Sequence, residues 1–268
     1  MKKYKKHKKL LADSLLSPQY LRPPREIQTS VSLCGNVPLQ HQYSKEKDKP
    51  HIGVEKSNID ISSVSSPKNF RRENMIYEYG RVIATTQKMI KAAQILNIPI
   101  LATTQSASKL GPTCPELELD TPSGHATAVH DDKTLFSMLT PSVQKVLSSL
   151  MTQQQGQTTT TNTSPTQPLS CVIVGIESHI CVTQTTLDLL AQGHKVYVLA
   201  DGVSSCNKEE VAIALARLRA EGAVVTTSES WIYECMGDAG IAEFRDVAKL
   251  VRECKEETSK SLEVLCKI

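Results

Sequence analysis

Cys181 is the residue in this sequence with the clearest potential for nucleophilic chemistry. It lies shortly after an apolar run, Cys171 to Val174, that ends at Gly175. The run is rich in β-branched residues, which predicts a buried strand of a parallel sheet, since such strands are covered on both faces. Helix-compatible residues follow to Leu190. A thiol in the first turn of that helix would meet unpaired N–H groups and the positive end of the helix dipole, which favour the nucleophilic thiolate.

The segment around Cys181 resembles the nucleophile motif of the isochorismatase-like cysteine hydrolases. The matching residues are G-I-E-S-H-I-C-V-T-Q-T, from Gly175 to Thr185. The runs Ala200 to Ser205 and Thr226 to Ser230 are similar to the animal isochorismatase domain-containing branch. The resemblance extends from about Met75 to Lys255, with one insertion. It implies a three-layer α/β/α, Rossmann-like fold with a mainly parallel sheet.

In the resembled family a Cys, a Lys and an Asp form the catalytic set. The motif places the nucleophile at Cys181, and the run K-T-L-F-S places the lysine that supports the thiolate at Lys133. The backbone N–H groups of Glu177 and Cys181 occupy the positions of the family's oxyanion hole. The family also has a non-proline cis peptide, which here would be Ile176–Glu177.

His179 is two residues from Cys181. Side chains at this spacing diverge on a helix, so we do not expect a His179–Cys181 dyad. We expect His179, together with Ser178, to line the pocket or to orient the loop. Taken alone, a cysteine in an apolar helix is more often a core residue, and a lysine is more often solvated. The motif is what favours catalytic roles for Cys181 and Lys133.

The aspartate of the set has no clear counterpart in this chain. In the family it ends the first strand, in a pattern like L-C-D-x-Q followed by Phe. In one register Gly35 or Asn36 stands at its position, and counting back from Phe70 gives Ser65. Asp60 lies in a strand-like run, but its spacing does not match. Loss of a general acid/base typically costs ~10²–10⁴ in rate.

Two functions therefore stay open. The first is a hydrolase in which Cys181 cleaves a small amide-type C–N bond through a thioester. The second is a catalytically impaired family member that acts as a binding or interaction protein. Whether the chain is an enzyme is left open at this point. A small-molecule substrate and a homo-oligomer are expected, because relatives commonly form dimers or tetramers.

No cofactor is expected. The chain has no G-x-G-x-x-G run for a dinucleotide. It also lacks the Asp/His cluster with which nicotinamidase relatives hold a metal, so no metal is predicted. None of the eight cysteines forms a C-x-x-C pair, which argues against structural zinc.

Charge and hydrophobicity bear on partners and location. The net charge of +3 is too small to indicate a nucleic-acid partner. No apolar run approaches the ~18 residues of a membrane span. Several cysteines lie in apolar patterns, as buried free thiols do in reducing compartments, which favours the cytoplasm. The first twelve residues contain six lysines and no acid. They are interpreted as a solvated tail, with organelle targeting as the weaker alternative.

Composition divides the chain into three parts. Residues 1–73 are predicted to be a basic, loop-rich extension that includes Val31 to Val37 as a candidate divergent first strand. The resemblance implies that residues 74–258 form an isochorismatase-like domain, and composition predicts a low-complexity insertion within it at residues 151–168. Residues 259–268 are a C-terminal tail.

Within the domain, apolar periodicity predicts alternating helices and strands, and hence a parallel sheet built from βαβ units. Thr140 is predicted to cap a helix that starts at Pro141. Asn207 and Glu210 resemble a capping box for a later helix. The other predicted elements are helices at about 75–96 and 241–254 and strands at 98–104, 126–130, 195–200 and 223–226.

Overall fold

The computed structural model describes residues 58–62, 75–155 and 168–266, and within these six strands form one sheet. The strands are β1 (Asn58–Ser62), β2 (Ile100–Gln105), β3 (Val129–Lys133), β4 (Ser170–Ile176), β5 (Lys195–Ser204) and β6 (Val224–Thr226). Their order is β3-β2-β1-β4-β5-β6, and every pairing is parallel. The order reverses between β1 and β4, so ligands are expected at the carboxyl ends of these two strands.

Helices cover both faces of the sheet. They are α1 (Tyr79–Ile95), the single turn α2 (Ala107–Leu110), α3 (Pro141–Gln155), α4 (Thr183–Ala191), α5 (Lys208–Ala220), α6 (Ser228–Met236), α7 (Phe244–Glu253) and α8 (Lys255–Leu265). A 3₁₀ turn spans Pro115–Leu117, and a π-helical turn, Ser178–Val182, joins β4 to α4.

Strand β4 shows how the layers form. All seven of its residues are buried. Val172 and Val174 face the core under α1 and α6, whereas Cys171 and Ile173 face the core under α3, α4 and α5. Successive side chains of a strand point to opposite faces, so an unbroken apolar run serves both cores. The predicted three-layer α/β/α fold with a parallel sheet is confirmed.

Strand β3 lies three residues later than predicted. The sequence favoured residues 126–130, but the paired residues are Val129–Lys133, with Lys133 opposite Gln105. β3 is an edge strand with alternating exposure, so it contains polar residues such as His130 and Asp131 that an apolar pattern does not detect. The shift places Lys133 at the carboxyl end of the strand.

The two predicted helix caps differ in outcome. Thr140 Oγ1 accepts a hydrogen bond from the Val143 N–H at 3.2 Å, which confirms the cap of α3. Asn207 precedes α5, but within the described residues its side chain makes no capping hydrogen bond, so the capping box is wrong. The Glu210 N–H instead bonds to the Asn207 carbonyl oxygen at 3.1 Å.

The C-terminal residues are more ordered than the sequence indicated. The tail predicted from residue 259 falls within α8, whose Leu265 is 3% exposed. α8 packs against α1 through the Arg81–Glu257 ion pair and a 2.7 Å bond from Lys88 Nζ to Thr258 Oγ1. The sequence analysis missed this helix because its large apolar residues are few and lie near its end. It also missed α6, although Trp231, Ile232, Cys235 and Met236 are buried at helical spacing.

Strand β1 falls inside the predicted N-terminal extension, at residues 58–62, between β2 and β4. The other candidate first strand, Val31 to Val37, lies outside the described residues. Helix α3 runs to Gln155, which takes in the first residues of the predicted insertion. No helix in the described ranges is long and apolar enough to cross a bilayer.

The described cysteines are mostly free thiols, as predicted from their apolar surroundings. Six are free, at positions 114, 181, 206, 235, 254 and 266. Cys171 differs from that expectation because it is disulfide-bonded.

Candidate active site

The nucleophile candidate lies in the turn directly after β4. The peptide bond between Ile176 and Glu177 is cis, as the sequence predicted. The Glu177 carbonyl then accepts the N–H groups of Ile180 and Val182, both at 3.1 Å. The second of these bonds spans five residues, so the turn is π-helical, and Cys181 lies in it rather than in the first turn of an α-helix. The Cys181 side chain is buried, with 6% exposure.

Lys133 is buried at the carboxyl end of β3. Only 5% of the surface of Lys133 is exposed, although a lone lysine is normally solvated. The Nζ atom donates to Gln105 Oε1 at 2.6 Å, to the Leu135 carbonyl at 2.9 Å and to the Phe136 carbonyl at 3.1 Å. An ammonium group has three N–H donors, and a buried charge needs such partners. These contacts hold the lysine at a defined position next to β2.

A hydrogen bond connects the loop after Lys133 to the helix after Cys181. The Met138 N–H donates to Thr185 Oγ1 at 3.1 Å, and both residues are fully buried. Thr185 lies in α4, four residues after Cys181. The loop after Lys133 therefore packs on the helix that directly follows the Cys181 turn.

Glu177 and His179 extend toward the end of β5. Glu177 Oε2 accepts the Cys206 N–H at 3.1 Å. His179 Nδ1 lies 3.0 Å from Ser205 Oγ and 3.9 Å from Glu177 Oε2. The imidazole is thus engaged by the segment after β5, which supports an orienting role for His179 rather than that of a base for Cys181.

Ser178 is fully buried beside the cis peptide. Its carbonyl oxygen accepts a hydrogen bond from Thr183 Oγ1 at 2.6 Å. Its own hydroxyl has no partner among the described residues. The predicted pocket residues, Ser178 and His179, are the first two residues of the π-helical turn that contains Cys181.

The position of Asp60 explains why its spacing did not match the family pattern. In the register of β1, Asp60 pairs with Ile173 of β4 and Leu101 of β2. Ile173 is three residues before the end of β4, which corresponds to about 10 Å along the strand. Asp60 therefore lies within the sheet and not at its carboxyl edge. The other candidates, Gly35, Asn36 and Ser65, lie outside the described residues.

Sequence reasoning did not single out three residues that shape this site. Gln105 holds Lys133, Thr185 connects the loop to the Cys181 helix, and Cys206 contacts Glu177. The rule that parallel strands end at one edge could have identified Gln105, the last residue of β2. The other two are brought to the site by tertiary contacts.

A family model and the similar known proteins described below indicate the same family for this chain. The isochorismatase domain model matches residues 68–230, which is more than half of the chain. The secreted isochorismatase effector Isc1 of Phytophthora sojae is 37% identical over 179 residues, which cover 67% of this chain and 78% of the relative. Human isochorismatase domain-containing protein 2 is 35% identical over 182 residues, with 68% and 78% covered.

A solved structure shares both the fold and part of the sequence. The structure of MAR1 ribonuclease from Caenorhabditis elegans superposes with a TM-score of 0.60 at 31% identity. The match covers 73% of this chain and 88% of that chain.

Proposed function

Because the chain belongs to the isochorismatase domain family, we propose that it is a cysteine hydrolase that cleaves a small amide-type C–N bond. The Cys181 thiolate attacks the carbonyl carbon, the C–N bond breaks, the amine leaves with a proton taken from solvent, and the acyl group remains on sulfur as a thioester. Water then hydrolyses the thioester and restores the thiol. The observation that carries this proposal is the packing of the buried Lys133 loop on α4, the helix directly after the Cys181 turn, through Met138 and Thr185.

Lys133 acts in this proposal through its charge. Its Nζ already donates to three oxygen atoms, so it is held as a fixed positive group. A nearby cation favours the charged form of a thiol. The oxyanion that forms during attack would be stabilised by the N–H groups of Glu177 and Cys181, since preorganised donors act strongly where water is excluded.

The second candidate is a catalytically impaired member that binds a ligand without hydrolysing it. The observation that favours it is the position of Asp60, which lies inside the sheet and not at its carboxyl edge. The leaving amine needs a proton, and a missing general acid typically costs ~10²–10⁴ in rate.

A trapping experiment separates the two candidates. The protein is mixed with a panel of small primary amides, and released ammonia is measured together with the mass of the intact chain. Hydrolysis predicts ammonia release and an acyl adduct on the Cys181 peptide, both lost in Cys181→Ser. Thermal stabilisation by an amide, with no ammonia and no adduct, would support the binding-protein candidate instead.

The substrate class is tested in the same experiment with RNA, since the similar C. elegans protein is MAR1 ribonuclease. We propose a small molecule because Cys181 is 6% exposed and the net charge is only +3. RNA cleavage that Cys181→Ser abolishes would contradict this substrate class.

We also propose that the chain forms a homo-oligomer. Leu135 and Phe136 are 49% and 59% exposed on the loop that holds Lys133, and large apolar side chains exposed together often mark an interface. Light scattering is expected to give a multiple of the 29.4 kDa chain mass. A monomer at micromolar concentration would contradict this proposal.

A further inference from the structure

Three side chains that the proposed hydrolysis does not use converge at the carboxyl ends of β4 and β5. They are those of Glu177, His179 and Cys206, and one potential ligand atom from each lies within 4.8 Å of the other two. Glu177 and His179 follow β4, and Cys206 follows β5, which is paired with β4. The hydrolysis uses only the backbone N–H of Glu177, so its carboxylate is available for another role.

The three donors differ in a way that selects among metal ions. A thiolate, an imidazole and a carboxylate are the ligands that zinc takes in proteins, whereas Mg²⁺ and Ca²⁺ prefer oxygen ligands alone. Bond lengths of about 2.0–2.3 Å in tetrahedral geometry place neighbouring ligand atoms roughly 3.3–3.8 Å apart. His179 Nδ1 and Glu177 Oε2 are 3.9 Å apart, and the ligand atoms of all three residues lie within 4.8 Å of one another, so these atoms would have to move closer by up to about 1.0–1.5 Å to complete the geometry.

Neighbouring groups already orient two of the three side chains. The Cys206 N–H holds Glu177 Oε2 at 3.1 Å, and Ser205 Oγ lies 3.0 Å from His179 Nδ1. The contact between the Cys206 N–H and Glu177 is of the kind that fixes ligand orientation in metal sites. Because the Ser205 hydroxyl and a metal would compete for the same nitrogen, removal of this hydroxyl should not weaken metal binding.

The cluster is open to solvent. Glu177 and His179 side chains are 28% and 26% exposed, and Cys206 is exposed. Cys206 also lines an open cleft of about 470 Å³ together with Tyr77, Glu78 and Lys208. A metal ion could therefore enter without rearrangement of the backbone.

We propose that Glu177, His179 and Cys206 form a binding site for a divalent cation of the zinc class, with the fourth position open to water or a ligand. On binding, the S–H bond of Cys206 breaks, its proton goes to solvent, and a sulfur–metal bond forms without any change of oxidation state. Metal binding therefore releases a proton and tightens as pH rises. The metal site's His179 lies in the same turn as Cys181, and the site shares Glu177 and His179 with the candidate active site.

The test is a titration of the full, reduced chain with Co²⁺, which reports a thiolate ligand through a sulfur-to-cobalt charge-transfer band. We expect the band in the unaltered protein and in Cys181→Ser, and its loss on addition of Zn²⁺. Cys206→Ser should abolish the band, and His179→Ala should weaken Co²⁺ binding about tenfold or more. Ser205→Ala should bind at least as tightly as the unaltered protein.

Cys254→Ser is the matched control, because Cys254 is also a free thiol but lies between α7 and α8. It should leave the titration unchanged, and circular dichroism should show that every variant is folded. The proposal is overturned if no band appears in the unaltered protein. It is also overturned if the band persists in Cys206→Ser, whether or not Cys181→Ser loses it.

Discussion

Lys133 Nζ lies 2.6 Å from Gln105 Oε1, across the pairing of β2 and β3. The same glutamine donates from Nε2 to the Thr134 carbonyl oxygen at 3.0 Å. One side chain therefore binds both the ammonium group and the start of the loop that packs on α4. The position of the lysine depends on an amide from a neighbouring strand.

Gln105→Leu tests whether the position of Lys133 depends on Gln105. It removes one oxygen from a buried ammonium group, and loss of a partner to a charged group costs about 1–3 kcal/mol or more. We expect a corresponding loss in the free energy of urea unfolding, and slower alkylation of Cys181. Gln144→Leu is the control, because Gln144 makes only a 3.4 Å bond to the Leu139 carbonyl. Equal behaviour of the two variants would argue against the role of Gln105.

Thr185→Val tests the connection between the loop and the Cys181 helix. The substitution keeps the shape but leaves the buried Met138 N–H without its acceptor, which costs about 1–3 kcal/mol. Thr152→Val removes a hydroxyl that bonds to the Ser148 carbonyl on the exposed side of α3, and should change stability by less than about 0.5 kcal/mol. The free energies of urea unfolding of the two variants are compared. If Thr185→Val lowers stability no more than Thr152→Val does, the hydrogen bond from Met138 does not have the proposed role.

Gly202 tests the close packing of β5 on β4. A Cβ atom there would lie 2.8 Å from Val174 Cγ1 and 3.2 Å from Thr85 Cγ2. Overpacking of this kind costs about 1–3 kcal/mol, so Gly202→Ala should lower the midpoint of thermal unfolding.

Gly80→Ala is the matched control for that substitution. Gly80 lies in α1 with no atom within 4 Å of the added Cβ. Alanine at such a position stabilises a protein by about 0.4–1 kcal/mol. The prediction fails if the two glycine variants shift the midpoint in the same direction.

Lys88 predicts a specific dependence of stability on alkaline pH. Burial lowers the pKa of Lys88 below its ordinary value of 10.5. The negative charges of Asp201 and Glu229 act in the other direction and raise this pKa, but the effect of burial is larger. Between the lowered folded pKa and 10.5 the unfolded chain binds more protons, so this residue makes stability rise with pH. Below that window the lysine is charged in both states and its burial cost is constant.

Lys88→Met should therefore remove the part of the increase in stability with pH that is due to Lys88. The difference in unfolding free energy between unaltered protein and variant should change as pH increases toward 10.5. The lost bond to Thr258 shifts the curves by a constant and does not alter their slopes. Lys91→Met, on the exposed side of the same helix, controls for removal of a positive charge. Parallel curves for the unaltered protein and Lys88→Met would contradict the prediction.

Particular elements show how far the sequence could predict this structure. β4 was predictable because its unbroken apolar run is the signature of a strand covered on both faces. β3 was misplaced because an edge strand tolerates the polar residues His130 and Asp131. Lys133 was identified by its motif, but its burial depends on Gln105, which only strand pairing brings near.

The candidate site also contains features that a local motif predicts and contacts that only the fold creates. The cis peptide and the turn at Cys181 were local features of one motif, so the resemblance located them. The contact between Glu177 and Cys206 joins residues 29 positions apart, and no local pattern indicates it. Such contacts depend on the register between β4 and β5.

The most direct measurement of the central claim is the pH dependence of alkylation at Cys181, resolved from the other thiols by peptide mass spectrometry. If Lys133 and the turn after β4 favour the thiolate, labelling should be rapid near pH 6, with a midpoint below the free-cysteine value of ~8.5. Lys133→Ala should raise that midpoint. A midpoint at or above ~8.5 that Lys133→Ala leaves unchanged would contradict the account of Cys181 as a poised nucleophile.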